Sequence, residues 1–138
     1  DTTAFNAMID KLGIDRRRCQ LNGRTADIEQ EYLKSSIAVC SSRFEGFGMV
    51  IIEAMACGLA VVSFDCPWGP QSIIKNGEDG FLVENGNIEK MADALVRLIE
   101  DDNKRNTFAK NAIQNVKRFQ IDRIAEQWRE LFENVIQN

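Results

Sequence analysis

An α/β fold, with a parallel sheet covered by helices on both faces, is predicted from three observations. A continuous apolar run at 37–40 reads as a strand buried on both faces, with a second buried strand at 59–64 and a third strand at 81–83. Segments of helical periodicity lie between and after them. Punctuation separates the two kinds of element: Gly58, both prolines within 65–70, and the pairs Asn76-Gly77 and Asp79-Gly80. Strands alternating with helices place successive strands parallel. The 138 residues fit one compact domain.

The elements follow in order. Residues 1–12 carry Phe5, Met8, Ile9 and Leu12 at helical spacing, and Gly13 ends the helix. After the charged run 16–18, a short strand is expected at 19–21, before the turn Asn22-Gly23. Asp27 caps a helix through Lys34, with Ile28, Tyr32 and Leu33 inward. The strand at 37–40 leads through the loop 41–46 into a helix over 48–57. The strand 59–64 follows, then the stiff loop "DCPWGP". A short helix starts at Pro70, since proline suits a first turn. After the strand at 81–83, the C-terminal part, 88–136, is all helix. Asn87 caps 88–101; a weaker helix covers 103–118. The last, 121–136, aligns Ile121, Ile124, Trp128, Leu131, Phe132 and Val135 on one face, with Trp128 read as core or docking.

An apolar fraction of 44% beside 28% charged residues describes an ordinary soluble domain with a real core. The net charge of −4 argues against nucleic acid as a partner, because such domains are usually basic. Cys19, Cys40, Cys57 and Cys66 form no C-x-x-C pair and have no histidine beside them, so no metal site is expected. Three of them lie in or beside apolar runs and read as small core residues, in a reduced, cytoplasmic setting. The longest apolar run, 49–62, is broken by Glu53 and Gly58, so no membrane-spanning helix is expected, and no signal peptide is visible.

Chemistry concentrates in "RFEGFGMVIIEAMACG", residues 43–58. In an open parallel sheet, ligands bind at the carboxyl ends of the strands, where the loops 22–26, 41–46 and 65–70 should converge. A helix starting near Gly48 offers first-turn amides with no internal partner and partial positive charge. Gly46 and Gly48 let a ligand approach, which suits a phosphate without a lysine or arginine. Glu53 lies about 7–8 Å further along the helix, the reach from a phosphate to the ribose of one nucleotide. Its two oxygens can accept from a vicinal diol. Glu45, before the helix, would meet whatever the phosphate carries. The alternative is that both carboxylates are solvated surface charges.

The stretch "SSRFEGFGMVIIEAMACGLAVVSFDCPWGPQSIIKNGEDGFLV" resembles the donor-binding half of retaining glycosyltransferases of the GT-B fold, group 1, family 4. The likeness rests on E-x7-E (Glu45 to Glu53), on A-M-A-x-G-x-x-V-V (Ala54 to Val62) and on N-G-x-x-G-x-L-V (Asn76 to Val83). It continues more weakly through "NIEKMADALVRLIEDD" and back to "CQLNGR".

The resemblance implies a Rossmann-like sheet, part of the C-terminal half of a GT-B fold. Residues 1–138 would be one nucleotide-sugar-binding domain, shorter at its N-terminus than the family's. It implies transfer of a hexosyl group from a nucleoside diphosphate sugar, with a UDP-sugar favoured, and retention of configuration. Glu45 would be the catalytic residue, nearest the transferred sugar. Gly46, Phe47, Gly48, Met49 and Val50 would bind the sugar and diphosphate, largely through their amides. Glu53 would hold the ribose, and Gly23, Arg24 and Thr25 would meet the base. No cofactor or metal is implied, since the nucleotide-sugar is a substrate.

An N-terminal acceptor domain and an upstream basic clamp belong to the pattern but not to this sequence, so the chain alone is expected to be inactive. Arg43 reads as solvated. Peripheral membrane association would come through the other domain, in the synthesis of surface polysaccharide. Without the family's first strand the strand at 37–40 has an open edge, so either 19–21 pairs beside it or two copies associate. The alternatives are a non-catalytic nucleotide-binding module and a generic flavodoxin-like domain with an unrelated ligand.

Overall fold

A computed structural model describes residues 2–136. It holds a sheet of three parallel strands, β1 (Ile37–Cys40), β2 (Ala60–Asp65) and β3 (Gly80–Glu84), in the order β1-β2-β3. Ile37 lies opposite Ala60, and Val61 opposite Gly80. Helices α1 (Thr3–Lys11) and α2 (Ile28–Leu33) precede the sheet; α3 (Met49–Ala56) joins β1 to β2, and α4 (Pro70–Ile73) precedes β3. Helices α5 (Ile88–Glu100), α6 (Asp102–Val116) and α7 (Ile121–Ile136) complete the chain, with a 3₁₀ turn at Lys117–Phe119 between the last two.

β2 is central and buried on both faces. Val61 packs with Ile51 and Met55 of α3, Ile73 of α4, and Ala112 and Val116 of α6. Its neighbours Ala60, Val62 and Phe64 point the other way, to Met91, Ala94 and Leu98 of α5 and Phe108 of α6. The pleat thus splits one continuous apolar run between two cores, and α6 contributes to both. Caps act where expected: Asp27 accepts from the Gln30 amide at 3.2 Å, and Asn87 from the Lys90 amide at 3.0 Å.

Several expectations fail, each for a physical reason. Residues 19–21 form no strand, so among the described residues no strand pairs with the outer edge of β1. β1 itself is not buried on both faces; Val39 is 50% exposed. The apolar faces of α1, α2 and α7 exist but are largely uncovered, with Phe5, Met8, Leu12, Ile28, Leu33, Ile121, Trp128, Leu131, Phe132 and Val135 all exposed. Periodicity says which face of a helix is apolar; it does not say that anything covers it.

The segment before β3 is pinned by a buried carboxylate. Asp79, 1% exposed, accepts from the Lys75 amide at 2.8 Å and from Asn115 Nδ2 at 2.6 Å. The same Nδ2 donates to the Ile73 carbonyl at 2.8 Å. Burial pushes the Asp79 carboxyl above its ordinary value, outweighing these two donors. A raised acid favours the fold most in its neutral form. That contribution is complete below the ordinary carboxyl range and is lost as pH rises through the Asp79 value. Asn115→Ala is expected to lower stability by about 2 kcal/mol and to move the Asp79 titration higher still. Urea unfolding and a 13C carboxyl titration measure the two effects, and an unmoved titration would show that Asn115 does not support the carboxylate.

Candidate functional site

The carboxyl ends of β1 and β2 meet at the start of α3. Gly48 there adopts φ 96° and ψ 44°, a left-handed conformation natural to glycine, and gives the helix no side-chain cap. The Ile51 amide bonds the Gly48 carbonyl at 2.9 Å. The amides of Met49 and Val50 belong to a first turn, which offers no intrahelical acceptor and carries partial positive charge. The side chains of Phe47, Met49 and Val50 around this mouth are exposed.

The two glutamates flank it differently. Glu53 is exposed on α3, so its charge is solvated and not buried. Tyr32 of α2 lies beside it and donates its hydroxyl to the Val50 carbonyl at 3.4 Å. Burial, and then the Glu53 charge, push the Tyr32 phenol above its usual value, so it remains a donor at neutral pH. Glu45 is half-buried, and its Oε1 accepts from the Cys40 thiol at 3.9 Å. Burial first, then Cys40, push the neighbouring Cys66 thiol up, with a smaller push from Glu45. A thiol held protonated is not a nucleophile; Cys66 is a packing residue here.

The loop after β2 leans on the mouth. A Cβ on Gly69 would sit 2.3 Å from the Phe47 carbonyl oxygen, so the two backbones touch. Trp68 takes φ 70°, rare for a bulky residue, and its indole is 71% exposed. Arg43 is exposed, as expected of a solvated arginine; its carbonyl accepts from Asn85 Nδ2 at 3.1 Å, which fixes the loop after β1.

The structure therefore brings Glu45, Gly46, Phe47, Gly48, Met49, Val50 and Glu53 into one neighbourhood, simply because they are contiguous across one loop and helix. Gly23, Arg24 and Thr25 sit in an exposed irregular segment that follows no strand. Thr25 Oγ1 accepts from the Asp27 amide at 3.1 Å and so helps to begin α2. Trp68, Gly69, Arg118 and Phe119 were not anticipated. The sequence "PWGP" signals a stiff loop, but nothing in it names Phe47 as the contact. Among the described residues, no group of three His, Cys, Asp or Glu side chains could hold a metal ion, and no helix is long and apolar enough to cross a membrane.

The family pattern described as glycosyl transferases group 1 matches residues 3–115. An exopolysaccharide phosphotransferase of Streptomyces coelicolor is 34% identical over 94% of this chain and 14% of its own length. A poly(ribitol-phosphate) alpha-N-acetylglucosaminyltransferase of Staphylococcus aureus is 32% identical over 91% of this chain and 25% of its own. The crystal structure of Anabaena Alr3699/HepE, in complex with UDP, superposes with a TM-score of 0.89 at 31% identity. It covers 96% of this chain, which spans 36% of that protein. The chain is thus about a third or less of the length of these relatives. Three parallel strands with helices on both faces form the Rossmann-like arrangement found in GT-B transferases. With the pattern matched over most of its length and the fold shared, this chain belongs to the group 1 glycosyl transferases.

Proposed function

We propose that the mouth of α3 binds the diphosphate of a nucleotide-sugar, within a retaining hexosyltransferase whose acceptor site lies outside this chain. The observation that carries the reading is Gly48: a left-handed, uncapped helix start with a carboxylate on either side. A negative leaving group fits those amides, which stabilise it without a metal. Glu53, solvated and one turn along, accepts from the ribose diol. Glu45 faces the hexose and is the residue nearest the reacting carbon. Gly46, Phe47, Gly48, Met49 and Val50 line the phosphates and the sugar, while Gly23, Arg24 and Thr25 are assigned to the base. UDP is the favoured nucleotide, supported by the UDP and the UDP-glucose bound in the Anabaena structures. The synthesis of surface polysaccharide is the setting. A cytoplasmic location is supported by four free cysteines.

The open edge of β1 belongs to the same proposal. An unpaired parallel edge calls for another strand, from a longer chain or from a second copy; light scattering of the isolated chain distinguishes the two.

Ligand-observed NMR with UDP-, GDP- and ADP-sugars tests the binding reading, and no binding of any of them overturns it. Glu53→Ala is expected to weaken UDP binding by about tenfold or more, the loss of a charged hydrogen bond. Its melting temperature should hold, because the side chain is exposed. A lowered melting temperature with unchanged affinity would make Glu53 structural.

A further inference from the structure

The 3₁₀ turn at Lys117–Phe119 lies far along the chain from the donor site, yet it touches the site by two routes. The first is ring to ring. Phe119 packs edge-to-face on Phe47, with centroids 5.8 Å apart and planes at 84°. Phe47 immediately precedes Gly48, so fixing its ring fixes the main chain that opens α3. The second route runs through Arg118. Its guanidinium lies 4.3 Å from the centre of the Phe119 ring, where the negative ring face attracts a cation. Arg118 Nη2 also donates to the carbonyls of Ser72 at 2.6 Å and Ile73 at 3.0 Å, at the end of α4. Gly69, just before α4, presses on the Phe47 carbonyl. Phe47 is therefore held at its ring by Phe119 and at its backbone by the segment that Arg118 ties down.

Core packing accounts for only part of this arrangement: Phe119 packs, partly buried, against the core shared by α3, α4 and α6. No residue of the turn is buried, Phe47 is exposed, and Phe119 is only half-buried. A phenyl ring that also meets a guanidinium and a second, exposed ring fixes orientation as well as filling volume.

We propose that Phe119 and Arg118 are positioning residues of the donor site, acting through Phe47 to hold the Gly48–Val50 amides in the geometry that receives a diphosphate. The proposal rests on the donor-site reading above, and its test separates the two. Phe119→Leu keeps apolar bulk and removes the ring, Phe119→Tyr restores the ring, and Phe108→Leu serves as a core control far from the mouth.

In the free protein, Phe119→Leu is expected to shift the amide resonances of Gly48, Met49 and Val50 and to speed their hydrogen exchange, while Phe119→Tyr and Phe108→Leu leave them in place. In a UDP titration, Phe119→Leu is expected to raise Kd about threefold to tenfold, with Phe119→Tyr restoring it. Phe108→Leu should lower Tm and leave Kd unchanged. Unmoved mouth amides in Phe119→Leu overturn the proposal. So does a parent protein that binds UDP beside a Phe119→Leu that binds it equally, and in that case the donor-site reading survives. A parent that does not bind UDP overturns both.

Discussion

Glu45→Ala is expected to lower turnover of the nucleotide-sugar by about 100- to 1,000-fold, the size of effect seen when one group stabilising transition-state charge is removed. The affinity for free UDP should hardly change. In the proposed reading Glu45 faces the sugar, whereas the ribose and phosphates are assigned to Glu53 and the helix amides. Glu45 is half-buried, with the Cys40 thiol donating to its Oε1 at 3.9 Å, which holds the carboxylate at the end of β1. Glu45→Gln keeps the volume and one acceptor but removes the charge, and should fall between parent and alanine variant. Steady-state release of UDP by the full-length enzyme, beside a UDP titration, measures both quantities. Parental turnover in Glu45→Ala would remove this residue from the chemistry, and a lost UDP affinity would move it to the nucleotide subsite.

Gly69→Ala is the second large effect, and it acts through structure. The added methyl would lie 2.3 Å from the Phe47 carbonyl oxygen and 2.8 Å from its carbon, both backbone atoms that no rotamer change can move aside. The loop after β2 and the residue before α3 must separate, at a cost of about 3 kcal/mol. The separation displaces the main chain leading into Gly48. Both stability and UDP affinity should fall together, unlike in Glu53→Ala, where affinity falls alone. The φ of Gly69 is extended, at 178°, so the effect comes from crowding and not from backbone conformation. Urea unfolding with calorimetric titration would show it, and a variant as stable as the parent would mean that the two backbones are not in contact.

How legible the fold was depended on what each signal encodes. The strands at 37–40, 59–64 and 81–83 lie within a residue or so of β1, β2 and β3, because continuous apolar runs bounded by Gly and Pro have few other uses. α7 and the caps at Asp27 and Asn87 were equally readable. The strand expected at 19–21 was not, because a strand needs an edge to pair with, and a short apolar run does not reveal whether one is available. The contiguous part of the candidate site, Glu45 to Glu53, was visible as spacing across one loop and the helix after it. Contacts across the chain were not: Asp79 with Asn115, Gly69 with Phe47, and Phe119 with Phe47 join residues separated by many positions. No periodicity announces them. The exposure of α1, α2 and α7 was hidden for the same reason, since burial is a property of neighbours.

The parallel sheet has a consequence for how this molecule assembles. Parallel strands cannot pair through a tight turn; each must wait for a crossover to bring it home. β1 meets β2 only after α3 has been laid between them, with Ile37 facing Ala60 across that excursion. The segment that closes the sheet is also the one that carries the Gly48 mouth. Pairing β1 with β2 therefore closes the nonlocal loop that contains the mouth.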